Sequence, residues 1–282
     1  SSIIFLISCT FLYFFQYSFS TIYSDALLSV CFAAAVALAY SQKPLFINTI
    51  LFSIVISTLL LIKEIGIIIA LVTFSIFCTS RLIFSYQSNS SYRNSLLSLF
   101  IPSLSILMFV GLTFKSWSWY TASINAPRVL VLPSLSIFTE PSFQPRFLNT
   151  LNEFITRISK PGYLSIFENK FTLGPSLTAL LLSVIVLSFV LIVRSPSTQR
   201  PKISATLVIL FFGFFGYLIA LLYSYLFVFT EYEGIRLASF ERYLSSYLLA
   251  WFLILFSFSS ELFFKIYNNT TKYHTLTCVI LC

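Results

Sequence analysis

The chain alternates between long apolar runs and short polar connections. A membrane-spanning helix needs about 20 mostly apolar residues, and eight runs of this kind follow one another in the sequence. They are 1–19, 26–41, 45–62, 65–83, 96–114, 176–193, 204–230 and 244–264. The pattern predicts an all-α fold, a polytopic transmembrane helical bundle of about eight spans.

Two stretches depart from this simple alternation. The apolar run 45–83 is broken only by Lys63 and Glu64 and is too long for one crossing, so it predicts a helical hairpin with these two residues at its tip. The long connection 115–175 is rich in proline, and its apolar residues recur at helical spacing over 147–158. That spacing predicts an amphipathic helix, either a cover over the spans or a lid over a site.

The composition agrees with a membrane protein. Hydrophobic residues make up 58% of the chain and charged residues only 9%, against about 25% charged in soluble proteins. We therefore expect a single transmembrane domain over 1–282, multi-pass in the cell membrane, with the lipid bilayer as its partner. Both ends fall beside or within apolar runs, so we expect the chain to continue beyond them.

The formal net charge of +8 comes from single basic residues between apolar runs. It therefore indicates membrane topology rather than a nucleic-acid partner. His274 is the only histidine and no Cys/His spacing typical of zinc is present. Catalysis by histidine and zinc-dependent hydrolysis are therefore not expected.

Basic and acidic residues are distributed unevenly between alternate connections. One alternating set of connections carries eight basic residues and one acid, whereas the other carries eight of the nine acids. The basic members of the first set are Lys43, Arg81, Arg93, Arg194, Arg200, Lys202, Lys265 and Lys272. The positive-inside rule predicts that this set is cytoplasmic. The second set, which includes the 115–175 loop, is then extracytoplasmic, and we expect the functional site there.

Three places in the second set could carry function. Asp25 precedes an apolar run, where it is either a helix N-cap or a carboxylate that binds a metal, a sugar hydroxyl or a proton. Lys63 is either a snorkelling residue at the hairpin tip or a ligand for a lipid phosphate. Its neighbour Glu64 is a candidate for substrate contact or structural support.

The third place is the segment 231–243, the densest cluster of charge in the chain. Arg236 and Arg242 could grip a phosphate, or the arginines could pair with neighbouring acids. Three further residues there are candidates for substrate contact, structural support or interfacial anchoring. These are Glu231, Glu233 and Tyr243.

These same places carry a resemblance. YSDALLSVCFAAA at 23–35, LLLIKEIGIIIAL at 59–71 and SFERYL at 239–244 resemble, in order and spacing, stretches of the GT-C membrane glycosyltransferases. The most similar members would be bacterial mannosyl- and aminoarabinosyl-transferase-like proteins that use polyprenyl-phosphate sugars.

The resemblance implies an integral-membrane glycosyltransferase of the cell envelope. It would move a sugar from a polyprenyl-phosphate donor to a glycan, lipid or protein acceptor on the extracytoplasmic face. Asp25 would act at the catalytic centre, supporting the acceptor or a divalent metal ion. Lys63, Arg236 and Arg242 would bind the lipid phosphate. The family's principal catalytic acid would lie upstream of Ser1.

Two other classes remain open from the sequence. A transporter or lipid flippase would place charges at the bilayer midplane and show internal repeats, whereas the charges here fall at connections and the halves do not match. A structural membrane subunit without chemistry would tolerate loss of the charges at 231–242.

Overall fold

The computed structural model describes residues 24–41, 44–63, 65–87, 92–124, 143–159 and 177–281. Side chains at 92–96, 177 and 261–281 are not described. The predicted span 1–19, Glu64 and most of the 115–175 connection lie outside these ranges. Within them the fold is all-helical. The helices are α1 Asp25–Ala39, α2 Leu45–Ile62, α3 Gly66–Gln87, α4 Tyr92–Ser123, α5 Phe143–Ser159, α6 Leu177–Arg194, α7 Arg200–Phe227, α8 Glu231–Arg236 and α9 Phe240–Leu281.

Five helices are long and apolar enough to cross a membrane, as expected of a multi-pass membrane protein. These segments are Leu45–Ile62, Gly66–Gln87, Leu97–Ser123, Arg200–Phe227 and Phe240–Ser260. Two further apolar helices, Asp25–Ala39 and Thr178–Arg194, are shorter. Of the eight or so spans expected, the described part of the chain thus shows five candidates, and the full number stays a prediction.

Two helices continue further along the chain than the sequence predicted. The connection predicted to begin at 115 begins later, because α4 continues to Ser123 and carries Trp117 and Trp119 on its last turns. Arg81, predicted to lie in a connection, is on α3, which continues to Gln87. The amphipathic helix predicted at 147–158 is present as α5.

The centre of the bundle is the first half of α9. In an apolar 18-residue stretch within Phe240–Ser260, 72% of the residues are buried, against 11% in the corresponding stretch of α4. Helix α1 packs on α9, and α2 and α3 pack on α1. Aromatic rings fill the interior, with Tyr247 in contact with Phe32 and Phe214. Helix α4 lies at the periphery, where its apolar side chains remain exposed.

The predicted hairpin is present, with its tip between α2 and α3. Lys63 is extended and ends α2, and its carbonyl accepts a hydrogen bond from the Gly66 amide at 2.9 Å. A Cβ atom on Gly66 would lie 2.0 Å from the Leu59 carbonyl oxygen. The two helices therefore approach so closely at this point that only glycine fits.

The helices alternate in direction, so the connections collect at two ends. At one end Asp25, Lys63 and Arg242 are in contact. At the other, the Ser80 hydroxyl donates to the Ala39 carbonyl at 2.7 Å, and the Gln87 side chain donates to the Thr198 carbonyl at 3.1 Å. We call the first the acidic end and the second the basic end. The described carboxylates all lie at the acidic end: Asp25, Glu153, Glu231, Glu233 and Glu241.

We predict that Gly66→Ala destabilises the folded chain by about 1–3 kcal/mol, the usual cost of forcing extra atoms into packed structure. Thermal unfolding of the purified full chain in detergent measures the change. Gly216→Ala is the matched control, because no described atom lies within 4 Å of a Cβ atom there. The control should be neutral or slightly stabilising. Equal stability of the two variants would contradict the close approach of α2 and α3.

Candidate functional site

Asp25 is the centre of the acidic end. It opens α1, where the partial positive charge of the helix N-terminus favours a carboxylate, and its side chain is only 2% exposed. No side chain caps this helix. The interpretation of Asp25 as an N-cap is therefore wrong, and its carboxylate is used in contacts between helices.

Two cations from distant parts of the chain meet this carboxylate. The Lys63 ammonium donates a hydrogen bond to Asp25 Oδ1. Arg242 Nε lies 3.1 Å from Asp25 Oδ2, an ion pair without the angles of a hydrogen bond. Lys63 and Arg242 are 20% and 26% exposed. A buried carboxylate without partners is strongly disfavoured, so these pairs tie the hairpin tip and the start of α9 to α1.

Serine hydroxyl groups also link α1 and α9, one helical turn after the charged residues. The Ser29 hydroxyl donates to the Ser246 carbonyl at 2.8 Å, and the Ser246 hydroxyl lies 3.4 Å from Asp25 Oδ1. Asp25 and Ser29 are four residues apart on α1, as are Arg242 and Ser246 on α9, so each pair shares one helix face. We refer to Asp25, Lys63, Arg242 and Ser246 as the Asp25 cluster.

Tyr243 forms an aromatic wall beside the cluster. The Lys63 ammonium lies 4.4 Å from the centre of its ring, and the Arg242 guanidinium carbon lies 5.3 Å from it. Tyr217 holds the backbone in place, since its hydroxyl donates to the Tyr243 carbonyl at 2.8 Å. A ring face stabilises a cation without neutralising it, so Lys63 and Arg242 remain charged beside Tyr243.

The formal charge of the cluster is +1, since two cations face one carboxylate. Burial lowers the pKa of Lys63 below its ordinary value, and the hydrogen bond to Asp25 opposes that change. Asp25 therefore helps to keep the ammonium protonated. Among these four described residues, the balance of charge is therefore positive.

A cavity of about 310 Å³ opens beside Lys63 and Tyr243. Ser224, Thr230 and Glu233 add polar groups to its wall. Its apolar lining consists of Ile65, Leu221, Val228 and Phe229. A mainly apolar wall with a few polar groups and one cation is typical of a small-molecule site.

The remaining residues proposed from 231–243 are not part of the Asp25 cluster, and of these Glu233 lines the cavity. Arg236 stacks on the ring of Tyr232 at 4.2 Å and is exposed. Glu233 lines the cavity and also accepts a hydrogen bond from the Thr230 hydroxyl at 3.0 Å, within the first turn of α8. Glu231 is exposed. The structure thus brings Asp25, Lys63, Arg242 and Tyr243 together and leaves Arg236 and Glu231 outside.

Two arginines of helix α5 hold it against other helices at the acidic end. Near its start, Arg146 Nη2 lies within 3.5 Å of the Tyr225 and Phe229 carbonyls, where α7 ends. Near its end, Arg157 pairs with Glu153 at 2.9 Å and with Glu241 at 3.2 Å. Phe229 lines the cavity and Glu241 precedes Arg242, so α5 is tied to both parts of the site.

The described residues do not fit a metal site. No three Asp, Glu, His or Cys side chains among them lie close enough to hold a metal ion. Asp25, the carboxylate that the resemblance would offer to a metal, already faces two cations. A divalent cation there would be repelled by both of them.

Several contacts of the site were not anticipated. Ser29 and Ser246 could have been found from their spacing to Asp25 and Arg242, since residues four apart share a helix face. Arg146 and the pairing of Arg157 with Glu241 depend on how α5 docks on α7 and α9. No local pattern encodes that docking.

The chain matches no protein-family model, no curated protein and no solved structure.

We predict that the Arg157–Glu241 pair holds the end of α5 only modestly. Both side chains are partly exposed, and such pairs contribute about 0.2–1 kcal/mol. Arg157→Gln and Glu241→Gln should each raise amide hydrogen exchange across 143–159 by up to about fivefold. Glu231→Gln, which removes an exposed acid of α8, is the control and should leave exchange in α5 unchanged. Unaltered exchange in both test variants would show that the pair does not fasten α5.

Proposed function

We propose that the chain is an integral-membrane glycosyltransferase of the GT-C type, which uses a polyprenyl-phosphate sugar at the acidic end. The observation that carries the proposal is the meeting of Lys63 and Arg242 around the buried Asp25, beside a cavity. In this proposal the basic end is cytoplasmic and the acidic end extracytoplasmic. Helix α5 then lies on the extracytoplasmic side of the site.

The charges favour a phosphate ligand. Lys63 and Arg242 supply donors and a formal excess of one positive charge, which a phosphate would offset. Tyr243 and the apolar wall formed by Ile65, Leu221 and Phe229 suit the part of a lipid next to its headgroup. Since Lys63 follows α2 directly, such a ligand would enter from the level where the candidate spans end.

In such a transfer, the bond between the anomeric carbon and the phosphate oxygen breaks. The polyprenyl phosphate leaves with the electron pair, the acceptor oxygen bonds to the anomeric carbon, and the acceptor proton passes to a base. Lys63 and Arg242 would stabilise the charge that develops on the leaving phosphate. Asp25 would position these two cations, because its buried carboxylate is committed to them.

The polar residues of the cavity wall would contact the sugar. Ser224, Thr230 and Glu233 offer hydroxyl and carboxylate groups in the same cavity wall as Lys63. A volume of about 310 Å³ is at the lower end of the usual range for small-molecule sites, which suits a single sugar unit rather than a long glycan. No described residue is assigned as the base.

The first test of this function is binding of polyprenyl phosphate to the purified full chain. Lys63→Gln and Arg242→Gln should each weaken binding by about tenfold or more, the usual effect of removing a charged partner. Arg236→Gln is the matched control, since it removes an arginine of the same segment that lies outside the cluster, and it should bind within about threefold of wild type. The conservative Lys63→Arg should restore most of the affinity.

The second test is transfer itself. Membranes containing the full chain are supplied with polyprenyl-phosphoryl mannose or polyprenyl-phosphoryl aminoarabinose, and release of polyprenyl phosphate is measured. The proposal expects release with one of these donors, and its loss in Lys63→Gln. Wild-type binding in both Lys63→Gln and Arg242→Gln would contradict the assigned site. Movement of the intact donor across liposomes without any release would instead support a flippase.

A further inference from the structure

The cavity beside Lys63 lies between the start of α3 and the end of α7. Ile65, which directly precedes α3, and Leu221 on α7 are both part of its wall. The two helices run in opposite directions and pack together. Two helical turns further along α3 they are in close contact, since a Cβ atom on Gly213 would lie 2.6 Å from the Val72 side chain. The space between them is therefore closed at that point and open at the acidic end.

One face of α7 leads from this close contact into the cavity. Gly216, Ala220 and Ser224 follow Gly213 at intervals of three or four residues, a spacing that keeps side chains on one helix face. Ser224 is part of the cavity wall. No described atom lies within 4 Å of a Cβ atom placed on Gly216. The surface of α7 is therefore open from the cavity as far as Gly216, over about 12 Å.

The facing side of α3 is apolar. Ile68 and Val72 follow Ile65 at the same helical spacing, so these three side chains share one face. Next to these faces, Leu71 on α3 is 58% exposed and Ile219 on α7 is 69% exposed. Both helices are candidate membrane spans. The two faces thus form an apolar groove, which we call the α3–α7 groove, running from the cavity to the contact at Val72.

The cavity and the groove together have the polarity of a lipid phosphate. The cavity wall contains the Lys63 ammonium, whereas the stretches 65–80 and 203–230 contain no charged residue. Gly216 and Ala220 are small, so they leave room for a hydrocarbon chain on the surface of α7. A chain attached to a phosphate at Lys63 would leave the cavity through an apolar opening, and the α3–α7 groove is continuous with the cavity.

We propose that the polyprenyl chain of the donor lies in the α3–α7 groove, where Gly216 leaves the space that the chain occupies. This inference rests on the proposed function, because it places the chain attached to the phosphate at Lys63. The chain passes from the cavity over Ala220 and Gly216. The close contact between Gly213 and Val72 then directs it outward into the surrounding lipid.

The test uses two lipid phosphates of different chain length. The chain of undecaprenyl phosphate is long enough to follow the groove, whereas that of geranyl phosphate ends close to the cavity. Binding of each to the purified full chain is measured in detergent. We expect Gly216→Leu to lower the affinity for undecaprenyl phosphate by about tenfold, because the displaced chain loses apolar contact. Its affinity for geranyl phosphate should change by less than about threefold.

Gly111→Leu is the matched control. Gly111 lies on α4, another candidate span, and no described atom lies within 4 Å of a Cβ atom there either. This variant adds the same bulk away from the groove and should leave both affinities within about threefold of wild type. Equal losses in Gly216→Leu and Gly111→Leu would contradict the proposal, because they would show a general effect of added bulk.

Lys63→Gln separates the groove from the phosphate site. If both assignments are right, Lys63→Gln weakens the binding of both lipids and Gly216→Leu weakens only that of the long one. If Lys63→Gln has this effect and Gly216→Leu has none, the groove is wrong and the phosphate site stands. If Gly216→Leu is selective for chain length and Lys63→Gln has no effect, the groove stands and the phosphate site is wrong.

Two further measurements decide which chain occupies the groove. Full displacement of undecaprenyl phosphate by an equal concentration of phosphatidylglycerol would overturn the proposal, because the groove would then take an ordinary acyl chain. If Gly216→Leu does not fold, undecaprenyl phosphate with a photoactivatable group on its chain is cross-linked to the wild-type protein. Label on peptides spanning 65–72 and 213–224 is then expected, and label only elsewhere contradicts the proposal.

Discussion

The buried carboxylate of Asp25 is the constraint on which the acidic end depends. A carboxylate that is 2% exposed needs cations close by, and this chain supplies them from the hairpin tip and from the first turn of α9. Three segments that are far apart in sequence are thereby fixed relative to one another. The cavity beside Lys63 and the position of Tyr243 follow from this arrangement.

The chain has few charged residues, and those that the structure describes lie at one end of the bundle or the other. With 9% charged residues, the chain concentrates its described acids at one end and leaves Arg81 and Lys202 at the other. Apolar surface covers the helices between the two ends. At the acidic end, the ligand that we propose is a donor phosphate beside a sugar-sized cavity.

Much of the fold follows from the sequence, because lengths of apolar runs and charged interruptions set where helices begin and turn. The hairpin at Lys63 and the amphipathic helix at 143–159 were predictable in this way. The extension of α4 to Ser123 was not, since polar and aromatic residues there continue a helix without an apolar signal. The sequence indicated Asp25, Lys63 and Arg242 as candidates, but their pairing depends on which helices pack together.

A double-mutant cycle between Asp25→Asn and Lys63→Gln tests the pairing most directly. Stability of the full chain is measured by thermal unfolding in detergent for wild type, both single variants and the double variant. Our account predicts that Asp25→Asn destabilises more than Lys63→Gln, because it leaves two cations without their carboxylate. It also predicts a coupling of about 1–3 kcal/mol between the two sites. Additive effects, within about 0.5 kcal/mol, would contradict it.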